Sequence, residues 1–129
     1  MIFGIGVDLL EPQRVERLLK LYGRRFARRV LTDLEWPGYE RSGKPVYYVS
    51  NRFAAKEAFS KAMGTGFRYP VTLQNISIVQ NKAGKPGYVL SAALQAKADS
   101  LGITGHYVTI SDEKSMVCAV AVIECENRV

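Results

Sequence analysis

The chain has 129 residues, 47% of them hydrophobic and 23% charged, the balance of a globular protein with room for one modest core. Its longest apolar runs, such as residues 117–123, are far too short to span a bilayer, and Met1-Ile2-Phe3-Gly4 lacks the basic segment and cleavage site of a secretory leader, so neither a membrane partner nor a signal peptide is expected. One histidine and two cysteines argue against a zinc site, and the net charge of +6 points to an acidic or phosphate-rich partner.

Residues 1–7 are apolar and predict a short strand, with Gly4 and Gly6 on one face where something packs closely. Asp8 follows, and beside Pro12, which suits a first helical turn, it reads as an N-cap. Val15, Leu18, Leu19 and Tyr22 follow the i, i+3, i+4, i+7 pattern of an amphipathic helix from Pro12 to Leu21, stopped by Gly23. A second basic helix, Arg24 to Leu31, is buried through Phe26, Ala27 and Val30. Arg14, Arg17, Lys20, Arg24, Arg25, Arg28 and Arg29 face a single acid, Glu16. So one-sided a cluster exceeds what solvation needs, and nucleic acid, an anionic protein or a phosphate-rich cofactor would each fit it.

Thr32-Asp33-Leu34-Glu35 has the spacing of a capping box and starts a short helix near Trp36. Residues 41–45 read as a loop, and residues 46–49 as an apolar lead-in to the central stretch, Asn51 to Gly66. On a helical wheel of about 100° per residue, Ala54, Ala55, Ala58, Phe59, Ala62 and Met63 fill one apolar arc. Glu57 and Lys61, four residues apart, are neighbours on the opposite side, while Arg52, Lys56 and Ser60 form a second polar strip. Gly64-Thr65-Gly66 ends the helix and is expected to leave backbone N–H groups uncovered, which suits phosphate. A plain surface helix with one Glu–Lys pair and a glycine stop would share these local features.

Strands follow. Residues 73–79 and 88–90 form a hairpin about the Asn81–Pro86 turn. Ser91 caps a helix through Leu101, with Gly102 as its stop. Residues 107–111 and 116–124 form a second hairpin. The last strand is apolar on both faces, so it is central in its sheet or covered by another subunit. Cys118 and Cys125 lie on opposite faces of that strand and cannot pair with each other. Reduced thiols predict a cytoplasmic location. No internal repeat or domain boundary is evident, so residues 1–129 are expected to form a single domain.

Asp8 and Glu57 each sit where an apolar element meets a glycine-containing or basic segment. Mg²⁺ uses one or two carboxylates and completes its shell with water and substrate phosphates. Two carboxylates beside lysines and a Gly-Thr-Gly turn would suit a Mg²⁺–pyrophosphate site, although spacing alone does not bring Asp8 to Glu57.

Two longer segments carry a family resemblance. The first is Gly6-Val7-Asp8-Leu9 with Arg14-Val15; the second is Arg52-Phe53-Ala54-Ala55-Lys56-Glu57-Ala58 with Lys61-Ala62 and Gly64-Thr65-Gly66. They resemble the two signatures of the holo-acyl-carrier-protein synthase family, the small 4′-phosphopantetheinyl transferases, with further echoes at Arg29-Val30-Leu31-Thr32 with Glu35, Gly84-Lys85-Pro86 and Val108-Thr109-Ile110-Ser111. The resemblance runs from about Gly4 to Glu124. It implies an α+β fold in which a small antiparallel sheet packs on a long helix, assembled as a homotrimer with coenzyme A between subunits. It implies transfer of 4′-phosphopantetheine from coenzyme A, the co-substrate, to a serine of an acidic acyl carrier protein, in fatty acid biosynthesis. By the same resemblance Asp8 and Glu57 are the Mg²⁺ ligands, with Lys61 beside them in catalysis. Arg52, Lys61, Gly64, Thr65, Gly66, Lys85 and Pro86 contact coenzyme A, and Arg14, Arg17, Lys20, Arg24 and Arg28 dock the carrier. In many family members a histidine directly precedes the Val-Ser/Thr pair of the penultimate strand; here Tyr107 holds that place and His106 stands one earlier, on the opposite strand face.

A second reading is a non-enzymatic basic module that binds nucleic acid or an acidic protein. It accounts for the charge but not for Glu57 beside a phosphate-type turn, and the strands lack the exposed aromatics of single-strand RNA readers. No nucleic-acid partner is expected.

Overall fold

The computed structural model describes residues 1–127. The elements are β1 (Ile2–Leu10), α1 (Pro12–Tyr22), α2 (Arg24–Val30), α3 (Trp36–Arg41), α4 (Pro45–Met63), a 3₁₀ turn (Leu73–Asn75), β2 (Ile76–Gln80), β3 (Pro86–Leu90), α5 (Ala92–Ser100), β4 (Ile103–Asp112) and β5 (Val117–Cys125). β1, β5 and β4 form one antiparallel sheet with β5 in the centre, and β2 and β3 form a second, two-stranded one. The fold is α+β, with antiparallel strands against the long helix α4.

Close packing of β1 on α4 follows from small residues on both sides. A Cβ built on Gly4 or Gly6 would lie 1.9 Å from the carbonyl oxygen of Ala62 or Ala58. Only glycine facing alanine lets these two backbones approach. The inner face of β5, Val117, Ala119, Ala121 and Ile123, is wholly buried. Its other face, Cys118, Val120 and Val122, is half-buried. Beside it Ile5, Val7 and Leu9 of β1 are 57%, 47% and 63% exposed, an apolar patch across the outer sheet. Cys118 and Cys125 are both free thiols. Among the described residues no helix is long and apolar enough to cross a membrane.

Four local expectations are corrected. Asp8 is not an N-cap: β1 stays paired with β5 as far as Leu10↔Val117, so Asp8 lies inside the strand opposite Ala119. Glu11 precedes α1 without capping it by its side chain. α4 begins at Pro45 rather than Asn51, because proline at the first position pre-sets the helical φ. The strip of Arg52, Lys56 and Ser60 is not a solvated face: Lys56 and Ser60 are 0% and 2% exposed, since Glu35 comes in beside α4 and meets the Lys56 charge. The hairpin strand begins at Ile76 because residues 73–75 turn to let the Gln74 amide donate to the Arg28 and Leu31 carbonyls at the end of α2, at 2.7 and 3.1 Å.

Candidate active site

Two elements distant in sequence build the central cleft. β1 presents Asp8 on its α4-facing side, and α4 presents Glu57 and Lys61 one turn apart. The Lys61 Nζ donates to Asp8 Oδ1 at 3.2 Å and to the Val7 carbonyl at 3.1 Å. Asp8 and Glu57, with Leu10, Arg14, Val15 and Phe53 among their neighbours, line a cleft of about 120 Å³. Burial raises the proton affinity of Glu57, the Asp8 charge raises it further, and Lys61 and Arg14 oppose the rise. Two carboxylates in mutual repulsion at a cleft fit a divalent cation, whose charge would relieve them. Among the described residues no group of three or more His, Cys, Asp or Glu side chains could hold a metal, so such an ion would need oxygens from water or phosphate.

The turn after α4 differs from expectation. Gly64 adopts the left-handed conformation at φ 77°. The N–H groups of Gly64, Thr65 and Gly66 turn back onto the Lys61 and Ser60 carbonyls at 3.0, 3.3 and 3.3 Å. They close the last turn instead of facing outward, which is the usual way a glycine C-cap satisfies orphan carbonyls.

Lys85 and Pro86 lie elsewhere, in a second cleft of about 480 Å³ formed with Gly87, Tyr88, His106 and Tyr107. The two clefts share no lining residue. His106 points inward, its ring 5.8 Å from Tyr88 and 6.4 Å from Phe59, while Tyr107 faces the opposite, exposed side. Burial lowers the His106 pKa, and its Nδ1 is buried without a hydrogen-bond partner. Arg52 lines neither cleft. Its guanidinium stacks 3.4 Å from the Tyr48 ring centre and stands 3.9 Å from Glu35.

A family model described as the 4′-phosphopantetheinyl transferase superfamily matches residues 4–121. The chain belongs to that superfamily. It is similar to a holo-[acyl-carrier-protein] synthase of Nitrosospira multiformis, 48% identical over 96% of this chain and 99% of the relative. Among solved structures it resembles a holo-[acyl-carrier-protein] synthase from Neisseria meningitidis at 44% identity and a TM-score of 0.94, covering 96% of this chain and 99% of the other. It also resembles a holo-(acyl-carrier-protein) synthase from Bacillus anthracis in complex with CoA (3′,5′-ADP), at 32% identity and a TM-score of 0.81, over 98% of this chain and 99% of the other.

In this member of the 4′-phosphopantetheinyl transferase superfamily the basic surface divides in two. Lys20 pairs with Glu16 at 3.3 Å, Arg24 with Glu40 at 2.9 Å and Arg28 with Asp33 at 3.0 Å. Arg24 and Arg28 also lie over the Trp36 ring, 5.2 and 3.8 Å from its centre. Arg25 and Arg29, which the sequence places in the basic cluster but not among the residues expected to dock the carrier, line a groove of about 580 Å³ with Leu18, Tyr22 and Phe26. Among the described residues neither makes an ion pair. The signal that could have found them is the row Leu18, Tyr22, Arg25, Phe26 and Arg29 at helical spacing. The partnership of Glu35 with Lys56 was also missed, and no local pattern announces it.

Proposed function

We propose that the chain is a holo-acyl-carrier-protein synthase, moving 4′-phosphopantetheine from coenzyme A to a serine hydroxyl of apo-acyl carrier protein and releasing 3′,5′-ADP. The observation that carries this reading is Asp8 meeting Lys61 beside Glu57 at one cleft, in a chain nearly half identical to proteins of that name over 96% of its length. The serine oxygen forms a bond to the β-phosphorus, the bridging P–O bond breaks, and its electron pair leaves with 3′,5′-ADP. Asp8 and Glu57 would hold Mg²⁺, which when bound neutralises pyrophosphate charge and aligns the attack. Lys61, already drawn to Asp8, adds a fixed positive charge to the same oxygens. Glu57 or a water beside it takes the serine proton.

Coenzyme A would reach from Lys61 and the Gly64–Gly66 turn to Lys85 and Pro86. The separateness of the two clefts within one chain favours sites shared between subunits. The exposed row Ile5, Val7 and Leu9 supports the same reading, because a contiguous apolar patch marks an interface. Threefold closure is what the family resemblance implies. A coenzyme A contact by Arg52 would require its guanidinium to leave Tyr48. The carrier would dock on Arg14, Arg17 and the Arg25–Arg29 groove, with Lys20, Arg24 and Arg28 at its rim. Free Cys118 and Cys125 suit the cytoplasm. The basic-module reading leaves the paired carboxylates without a task.

The test is direct: incubate the protein with coenzyme A, Mg²⁺ and an apo-acyl carrier protein, then weigh the carrier. A carrier heavier by one phosphopantetheine is expected; an unchanged mass overturns the reading.

A further inference from the structure

Lys56 stands one residue before Glu57, with a side chain that is 0% exposed. Its ammonium donates to Glu35 Oε1 at 2.6 Å, to the Val30 carbonyl at 2.6 Å and to the Leu73 carbonyl at 3.1 Å. An ammonium has three donors, so all are spent, each on a different part of the chain. Val30 is the last residue of α2, Glu35 leads into α3, and Leu73 opens the 3₁₀ turn. Glu35 is equally committed, for its carboxylate also accepts from Thr32 N and Ile78 N, both at 2.9 Å.

Stability alone does not account for such a pair, since apolar packing in place of a buried ion pair is often as stabilising. What three fixed directions supply is a fixed rotation of α4 about its axis and a fixed distance from α2. Glu57 lies about 100° further round the same turn. A rotation that freed Lys56 would therefore swing the Glu57 carboxylate relative to Asp8, and displacements near 1 Å at a reacting centre can cost about 10²-fold in rate. α2 also carries Arg25 and Arg29, so the ammonium joins the basic groove to the carboxylate cleft.

We propose that Lys56 is a positioning residue for the transfer: clamped by Glu35 and the last carbonyl of α2, it sets the rotation of α4 that aims Glu57 at Asp8. The proposal rests on the transferase reading for the reaction it serves. Lys56→Met alone would strand the Glu35 charge, so the decisive variant is Lys56→Met with Glu35→Gln, which removes both charges and keeps an acceptor for the Ile78 N–H. With the full-length chain, folding is checked by circular dichroism, Mg²⁺ alone is titrated by calorimetry, and transfer is followed at saturating coenzyme A and carrier. Well below its melting temperature the folded double variant should bind Mg²⁺ about tenfold more weakly and turn over about tenfold more slowly, the scale on which residues behind a metal ligand act. Its KM for coenzyme A should stay within about twofold of the unmutated value, which separates aim from general loosening. If the double variant does not fold, Glu35→Gln alone is read in the same way, with smaller losses in the same direction. Unchanged Mg²⁺ affinity and kcat in a folded variant would overturn the role of Lys56. Absence of transfer by the unmutated protein would instead overturn the transferase reading.

Discussion

The Lys61 ammonium sits 3.2 Å from the Asp8 carboxylate, joining a strand and a helix separated by 53 positions in sequence. Lys61 is half exposed, so the pair contributes little to stability. Its consequence is for the cleft, because an internal cation stands where a divalent one would be drawn. Lys61→Met is therefore expected to bind Mg²⁺ more tightly than the unmutated chain without coenzyme A. It should still lose about 10²-fold in kcat, because a donor to the transition-state charge is gone. Calorimetry with Mg²⁺ and a carrier-mass assay check the two halves, and weaker Mg²⁺ binding would remove Lys61 from this competition.

Glu57 makes a pH-dependent prediction. Burial first and Asp8 second raise its pKa above the ordinary glutamate value. A carboxyl group whose pKa is higher folded than unfolded disfavours folding above the folded pKa, and this penalty vanishes below the unfolded one. Glu57→Gln should therefore melt at a higher temperature than the unmutated protein at neutral pH, with the gain disappearing in acid. The same variant should lose Mg²⁺-dependent transfer. Melting curves across a pH series decide it; a gain that persists at low pH would contradict the electrostatic origin.

The contact of β1 with α4 is tested by Gly6→Ala. The new methyl group would meet the Ala58 carbonyl at 1.9 Å, a backbone atom that cannot turn aside. A loss of about 3 kcal/mol, the upper end of ordinary overpacking, is expected by denaturant unfolding. Gly43→Ala is the control, since nothing lies within 4 Å of its added Cβ. Its effect should stay within about 0.5 kcal/mol.

Carrier docking is tested by reversing charge at Arg25 and Arg29, and separately at Arg14 and Arg17. Exposed charges steer encounter more than they tighten a final complex. Each double Arg→Glu variant should raise the KM for carrier. The Arg25, Arg29 pair should hardly change coenzyme A affinity and lower kcat less than kcat/KM, whereas Arg14→Glu adds a carboxylate to the cleft of Asp8 and Glu57 and should lower kcat as well. Added salt should reproduce part of the effect on the unmutated protein, as screening beyond about 8 Å at ~0.15 M predicts. A KM for carrier that is constant across the salt series and in both variants would place docking elsewhere.

Much of the architecture was legible as local pattern. The four-residue rhythm of Val15, Leu18, Leu19 and Tyr22 marks α1, and Gly23, Gly64 and Gly102, all at positive φ, mark the ends of helices. Ser91 caps α5 through the Leu94 N–H at 3.2 Å, as its place before an apolar run suggests. Gly4 and Gly6 announced a close approach, and Asp8, Glu57 and Lys61 stood out by chemistry and by motif.

Whether those residues meet was decided by the tertiary structure. The helical wheel put Lys56 on a polar strip because periodicity reports only which residues share a side of one helix. Burial of that charge depends on Glu35, 21 positions away, arriving with its carboxylate. Asp8 looked like a helix cap until β5 extended the strand past it. Arg24 and Arg28 looked as free as Arg25 and Arg29 until Trp36 and two acids took them. By itself the sequence determined the helices, the turns and the kinds of side chain available for phosphate chemistry, because those follow from short-range sterics and periodicity. Which charges are buried, paired or left facing a cleft was decided only when the chain closed on itself, because electrostatic environment is set by neighbours in space rather than in sequence.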